Sequence, residues 1–158
     1  MKTLLVMYHS LTGHTFELAK SVCEGARLSL AGEHGDFSVV VSFLHAREVS
    51  VVEVLSADAW VICTPENFGY MSGEVKAVFD RTYDATREAT AGRAYALLVS
   101  AGNDGRGAVA AMERIMVGYG MKAAREPLIV RGEVGERDLT AAHELGQYMA
   151  AALDAGLI

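Results

Sequence analysis

Residues 9–15, HSLTGHT, place Ser10, Thr12 and Thr15 around Gly13, between the apolar run TLLVMY at 3–8 and a segment that resumes with helical spacing at Phe16. Hydroxyls and a glycine where a strand ends and a helix starts make a natural anion cradle. The first turn of a helix has unpaired N–H groups carrying partial positive charge, and a glycine lets the backbone approach a ligand closely. The loop has no Lys or Arg, so a phosphate there would be held by hydroxyls and amides alone. The same residues also suit an ordinary helix N-cap. The spacing is neither GxxxxGK[ST] nor GxGxxG.

Two further loops carry chemistry-bearing residues. TPENFGYMSGEVKAVFDR, at 64–81, sets Phe68, Tyr70 and Met71 among turn-forming residues, with glycines at 69 and 73. Aromatic area in such a loop is either folded inward as local core or covered by a flat ligand. AGNDGRG, at 101–107, puts three glycines around Asn103, Asp104 and Arg106. It reads as a ligand-contacting loop, or as a plain strand-to-helix turn capped by Asn103 or Asp104.

The elements that must position these loops follow from hydrophobic patterning. Short apolar runs at 3–8, 37–43, 59–63, 94–100 and 127–130 suit strands buried on both faces. Between them lie helical stripes: Phe16, Ala19, Cys23, Ala26 and Leu30; Val75, Val78, Phe79 and Tyr83; Val109, Met112, Met116 and Tyr119; Leu139, Ala142, Leu145, Met149 and Leu153. A shorter helix is expected over 46–56, and surface turns over 84–92 and 131–137. Five strands alternating with five helices predict an α/β fold with a doubly wound, five-stranded parallel sheet over a single domain, residues 1–158. In such sheets ligands gather beyond the carboxyl ends of the strands where strand order reverses. The loops at 9–15, 64–73 and 101–107 lie at such ends.

Bulk properties narrow the function. A net charge of -6 disfavours nucleic-acid binding, which needs a Lys/Arg field. The two cysteines, Cys23 and Cys63, form neither a CxxC pair nor a zinc-ligand spacing and read as small buried hydrophobes. No metal site is expected. The N-terminal apolar run is too short for a signal sequence or a membrane span, so the chain reads as a cytoplasmic protein. Trp60, inside the third strand, reads as core; His9, His34, His45 and His143 read as surface or locally hydrogen-bonded residues.

Together, HSLTGHT, TPENFGYMSGEVKAVFDR and SAGNDGRGA resemble the three flavin loops of the flavodoxin-like superfamily, which includes flavodoxins and NAD(P)H-dependent FMN or quinone reductases. The resemblance implies strand order 2-1-3-4-5 and an FMN site. Ser10, Thr12, Gly13, His14 and Thr15 would hold the phosphate. Pro65, Glu66, Asn67, Phe68, Gly69, Tyr70 and Met71 would line one side of the isoalloxazine, with Tyr70 the stacking candidate. Ala101, Gly102, Asn103, Asp104, Gly105 and Gly107 would close the other. The loop departs from the flavodoxin pattern T-x-T-G-x-T: His9 and Ser10 open it, and His14 stands where asparagine is usual. That histidine is similar to the quinone-reductase branch.

The resemblance thus implies an FMN flavoprotein, with no side chain required as an acid or base. It would be an NAD(P)H-dependent reductase of quinone or flavin, a flavodoxin-type carrier serving a redox partner protein, or a redox-inactive FMN-binding module. A homodimer is compatible with the aromatic loops; nucleic acid and membrane partners are not expected. The same fold serves phosphoacceptor signalling domains, but the strand ends that would supply their metal-binding carboxylates read YHS and CTP.

Overall fold

The computed structural model describes residues 1–30 and 38–158. Strand β1 (Lys2–Tyr8) buries Leu4 to Met7 completely because it lies inside the sheet, paired in parallel with β2 (Val39–His45) on one side and β3 (Ala59–Asn67) on the other. Beyond β3 comes β5 (Ala94–Ala101), all of whose residues are buried. The outer edge of β5 carries two short parallel strands, β6 (Lys122–Ala123) and β7 (Leu128–Arg131). A two-residue strand, β4 (Tyr70–Met71), folds back antiparallel on the end of β3.

The main path is therefore β2-β1-β3-β5, with β7 beyond β5. Counted by the five expected runs, this is the order 2-1-3-4-5. The second run is shifted to 39–45, and its first expected residue, Phe37, lies outside the described residues, as does His34.

Side chains alternate across the sheet with the two-residue period of a strand. Leu5, Met7, Trp60, Ile62, Leu97 and Val99 point to one face, where they meet α2 (Val51–Ser56), α3 (Gly73–Thr90) and α4 (Arg106–Tyr119). Leu4, Val6, Val61, Cys63, Ala96 and Leu98 point to the other, against α1 (His14–Leu30) and α5 (Glu136–Asp154). Each such fully buried aliphatic side chain contributes roughly 1.5–3 kcal/mol. Trp60 packs edge-on against Tyr119 at 5.3 Å between ring centroids, in the core as its place in the strand predicted.

The helices α1 and α5 approach so closely that a Cβ on Gly25 would sit 2.0 Å from the His143 carbonyl oxygen. One on Gly146 would sit 1.9 Å from that of Val22. Glycine at both positions is what permits the contact.

Three expectations change. Residues 84–90 are not a surface turn but the last turns of α3. The stretch reads as polar because Thr82, Thr86 and Thr90 occupy its buried face. Each hydroxyl donates to a carbonyl four residues back, at 2.7, 2.8 and 3.0 Å, so the polar groups are satisfied within the helix. The expected helix over 46–56 splits into a 3-10 turn (Ala46–Glu48) and α2, because Ser50 caps α2 and exchanges hydrogen bonds with Glu53. Phe16, expected on the buried stripe of α1, is 40% exposed and stacks near Tyr8 and Phe43 at the sheet edge.

Candidate functional site

The carboxyl ends of β1, β3, β5 and β7 open on one cavity of about 270 Å³. From the first loop it is lined by Leu11, Thr12, His14 and Thr15; from β3 by Pro65, Glu66 and Asn67; from β5 and its loop by Ser100, Ala101 and Gly102. The turn after β7 closes it with Gly132 and Glu133. Each part comes from a different crossover, so only the folded sheet assembles it.

In the first loop the Ser10 hydroxyl accepts from the Gly13 amide at 3.1 Å, and Gly13 sits at φ +101°, which a side chain would strain. The first backbone bond of α1 runs from the Glu17 amide to the Gly13 carbonyl. The amides of His14, Thr15 and Phe16 have no acceptor among the described residues, and they sit where the helix dipole is positive. Ser10 thus shapes the turn through Gly13. His14 Nε2 lies 3.3 Å from a carboxylate oxygen of Glu133, whose side chain is 95% exposed.

The end of β3 turns into β4 through Phe68 and Gly69, both left-handed, at φ 54° and 68°. Two successive positive φ angles match a type I′ hairpin, whose twist fits the flanking strands; Asn-Gly is its preferred pair. Here a fully solvent-exposed phenylalanine takes the first place, at a cost of roughly 1–2 kcal/mol for the left-handed backbone. Met71 turns into the core, whereas Tyr70 stays about two-fifths exposed on the far side of the hairpin from the cavity, facing α4.

Glu66 ties this hairpin to the third loop: its carboxylate accepts from the Asn103 amide at 3.3 Å and the Gly105 amide at 2.8 Å. Asp104 accepts from the Arg106 amide at 3.0 Å just ahead of α4, whose N-cap residue is Gly105, while Ala101 and Gly102 of the same loop line the cavity. Gly105, at φ 74°, packs where a Cβ would strike Ile129, and a Cβ on Gly107 would lie 2.0 Å from the Gly69 carbonyl oxygen. Gly107 sets how near the hairpin and α4 come, and Gly105 how near the start of α4 comes to β7.

At the strand ends His9 is buried, and its Nδ1 has no hydrogen-bond partner among the described residues. It was expected on the surface or locally bonded; only its backbone amide is, donating to the Cys63 carbonyl at 3.2 Å. Burial lowers its pKa below the ordinary imidazole value, aided by His45 and Arg47 and opposed by Glu74. His45 caps the 3-10 turn, accepting from the Arg47 amide at 3.1 Å. Burial also pushes the Cys23 thiol up to about 12 and the Cys63 thiol well above its usual range. Neither is a nucleophile at neutral pH.

Leu11, Ser100, Gly132 and Glu133 were not among the expected site residues. The signal for the last two was present: RGEVG follows the fifth apolar run, and the strand-end rule applies to that turn as well.

The sequence pattern of the family described as NADPH-dependent FMN reductase matches residues 46–133, more than half of the chain. The chain belongs to this family. Among curated relatives of this FMN reductase family member, an NAD(P)H dehydrogenase (quinone) of Syntrophus aciditrophicus is 24% identical over 164 residues, covering 90% of this chain and 81% of that one. A flavodoxin of Aquifex aeolicus is 38% identical over 80 residues, 51% of this chain and 40% of that one. The chain spans about half the length of most of the curated relatives it matches. Among solved structures, a flavodoxin from the domain Archaea superposes with a TM-score of 0.82 at 21% identity, covering 96% of this chain and 99% of that one. The fold is flavodoxin-like. Among the described residues no helix is long and apolar enough to cross a membrane, and no cluster of His, Cys, Asp or Glu could hold a metal ion.

Proposed function

We propose that this chain binds FMN in the cavity at the ends of β1, β3 and β5 and uses it to reduce a quinone or free flavin at the expense of NAD(P)H. One observation carries the reading: the unclaimed amides at the start of α1, the Glu66-braced hairpin and the glycine-rich loop after β5 all border one cavity.

The residues fit the cofactor. His14, Thr15 and Phe16 offer amides and Thr12 and Thr15 offer hydroxyls to a phosphate; Gly13 and Gly102 leave open space where a Cβ would project. Pro65 to Asn67 and Ala101 to Gly102 supply the walls for a flat ring. The volume of about 270 Å³ lies just below the range of about 300–1,000 Å³ for small-molecule sites, which suits a ligand gripped at one end and open to an acceptor at the other. When bound, FMN supplies hydride and electron transfer.

The chain's own residues then bind and orient. Glu66 holds the two loops at fixed separation, and its carboxylate faces amides rather than the cavity's anion end. At the phosphate end His14 Nε2 lies 3.3 Å from the Glu133 carboxylate, so that nitrogen donates to Glu133 and the backbone amide of His14 is left for the phosphate. Phe68, held exposed in a costly backbone conformation, offers apolar area at the rim for a planar acceptor.

Titrating the flavin-free protein with FMN should quench flavin fluorescence and shift its absorbance, and the loaded protein should oxidise NADPH with a soluble quinone. No spectral change would end the reading. Flavin binding without NADPH turnover would leave a carrier of the flavodoxin kind, with which the fold is shared.

A further inference from the structure

The hairpin that borders the flavin cavity is also the wall of a second one. On its β3 side Glu66 and Asn67 face the cavity described above; on its β4 side Tyr70 faces a recess of about 300 Å³ between α3 and α4. The floor of this recess is small and apolar, from Ala110, Ala111 and Ile115, and its rim carries Lys76 and Arg114. It continues along the groove between the helices into a space of about 330 Å³ bordered by Phe79, Asp80, Tyr83 and Asp84.

The charges are arranged unevenly. Lys76 pairs with Asp80 one turn further along α3. Arg114 has no ion pair or hydrogen bond among the described residues, on a chain whose net charge is -6. A guanidinium left free beside an aromatic ring and an apolar floor suits a ligand with a flat heteroaromatic part and a phosphate, since its fork matches phosphate oxygens. Asp80 and Asp84 repel an anion from the lower groove and confine it to the end near Tyr70.

We propose that the recess formed by Tyr70, Lys76, Arg114 and the Ala110–Ala111 floor binds the phosphorylated adenosine half of the nicotinamide dinucleotide donor. The base lies along Tyr70 and the alanines, and the phosphate meets Arg114 with Lys76 beside it. The inference rests on the reading of the chain as a nicotinamide-dependent reductase, because the shared hairpin places the recess next to the flavin cavity.

The test uses 2′,5′-ADP, which carries the adenosine and its phosphates and no nicotinamide, titrated calorimetrically into the full chain without flavin. Binding is expected, weakened about tenfold or more by Arg114→Ala, the scale of a lost charge-assisted hydrogen bond. Ala110→Leu, at an exposed position that fills the floor, should weaken it as well. In the FMN-loaded protein, Arg114→Ala should raise KM for NADPH without a matching rise for reduced nicotinamide mononucleotide, which lacks the adenosine half. The proposal is overturned if 2′,5′-ADP does not bind, if inorganic phosphate displaces it at equal concentration, or if the variant affects both donors alike. Because the calorimetry needs no flavin, failure to bind FMN would count against the enzymatic reading and leave the recess independently tested.

Discussion

Gly107→Ala is the most informative single change. Alanine inside a helix is ordinarily favoured over glycine by up to about 1 kcal/mol, so a neutral surface position would gain stability. Here the new Cβ would stand 2.0 Å from the Gly69 carbonyl oxygen and 2.9 Å from its carbon, and real Cβ contacts do not fall below 3.0 Å, so the gap must open by about 1 Å. The obstruction is backbone at an exposed hairpin tip, which can move, so the cost should fall in the lower part of the 1–3 kcal/mol range for overpacking. Net of propensity, we expect a loss of up to about 1 kcal/mol instead of a gain. The larger effect is on the ligand: the displaced hairpin draws Asn67 and Glu66 away from the loop after β5, and FMN affinity should fall roughly tenfold, each tenfold step being about 1.4 kcal/mol.

Gly146→Ala is the control. Its Cβ would meet the Val22 carbonyl oxygen at 1.9 Å in the contact between α1 and α5, so it should lower stability while leaving FMN affinity near the parent's. Urea unfolding and fluorescence titration measure both quantities. If Gly107→Ala is more stable than the parent and binds FMN equally well, the close approach of hairpin and α4 does not set the site.

Glu66→Gln leaves one acceptor oxygen for two backbone donors and sets its NH2 against the other amide, so it should cost roughly 1–3 kcal/mol and speed hydrogen exchange at the Asn103 or the Gly105 amide; unchanged exchange at both would contradict the bracing role. Phe68→Asn puts a residue tolerant of left-handed φ at the hairpin tip without losing packing, since Phe68 is fully exposed; it should gain about 1 kcal/mol and raise Tm by roughly 2–4 °C, while turnover with a planar quinone falls. His9 has its folded pKa lowered by burial, so below about 6.5, the unperturbed value, the unfolded chain takes up a proton that the folded chain refuses. Stability should therefore drop as pH falls from 7.5 to 5, and His9→Asn should show a shallower drop in urea midpoint; equal slopes would mean His9 is not a source of the effect.

The sheet was legible because buried parallel strands leave continuous apolar runs, and Leu4 to Met7 or Ala94 to Ala101 have no other good reading. The three loops were legible as places, since glycine and hydroxyl clusters at strand ends are local signals. The direction of each side chain was not. Tyr70 and Met71 are neighbours in a loop, yet strand alternation after the hairpin sends Met71 into the core and Tyr70 toward α4. Glu66 reads as one more charged loop residue; its bond to Gly105 spans 39 positions and exists only once β3 and β5 lie side by side. The final turns of α3 were misread because threonines that satisfy their own hydroxyls carry no apolar signature.

The contact through Gly25 and Gly146 joins α1, which follows the HSLTG turn, to α5. During synthesis α1 leaves the ribosome early with an apolar face that the sheet and α5, made more than a hundred residues later, cover together. The first helix is therefore fully packed only once the last one is made, and a nascent chain halted before α5 would leave apolar surface of α1 open to chaperones and proteases.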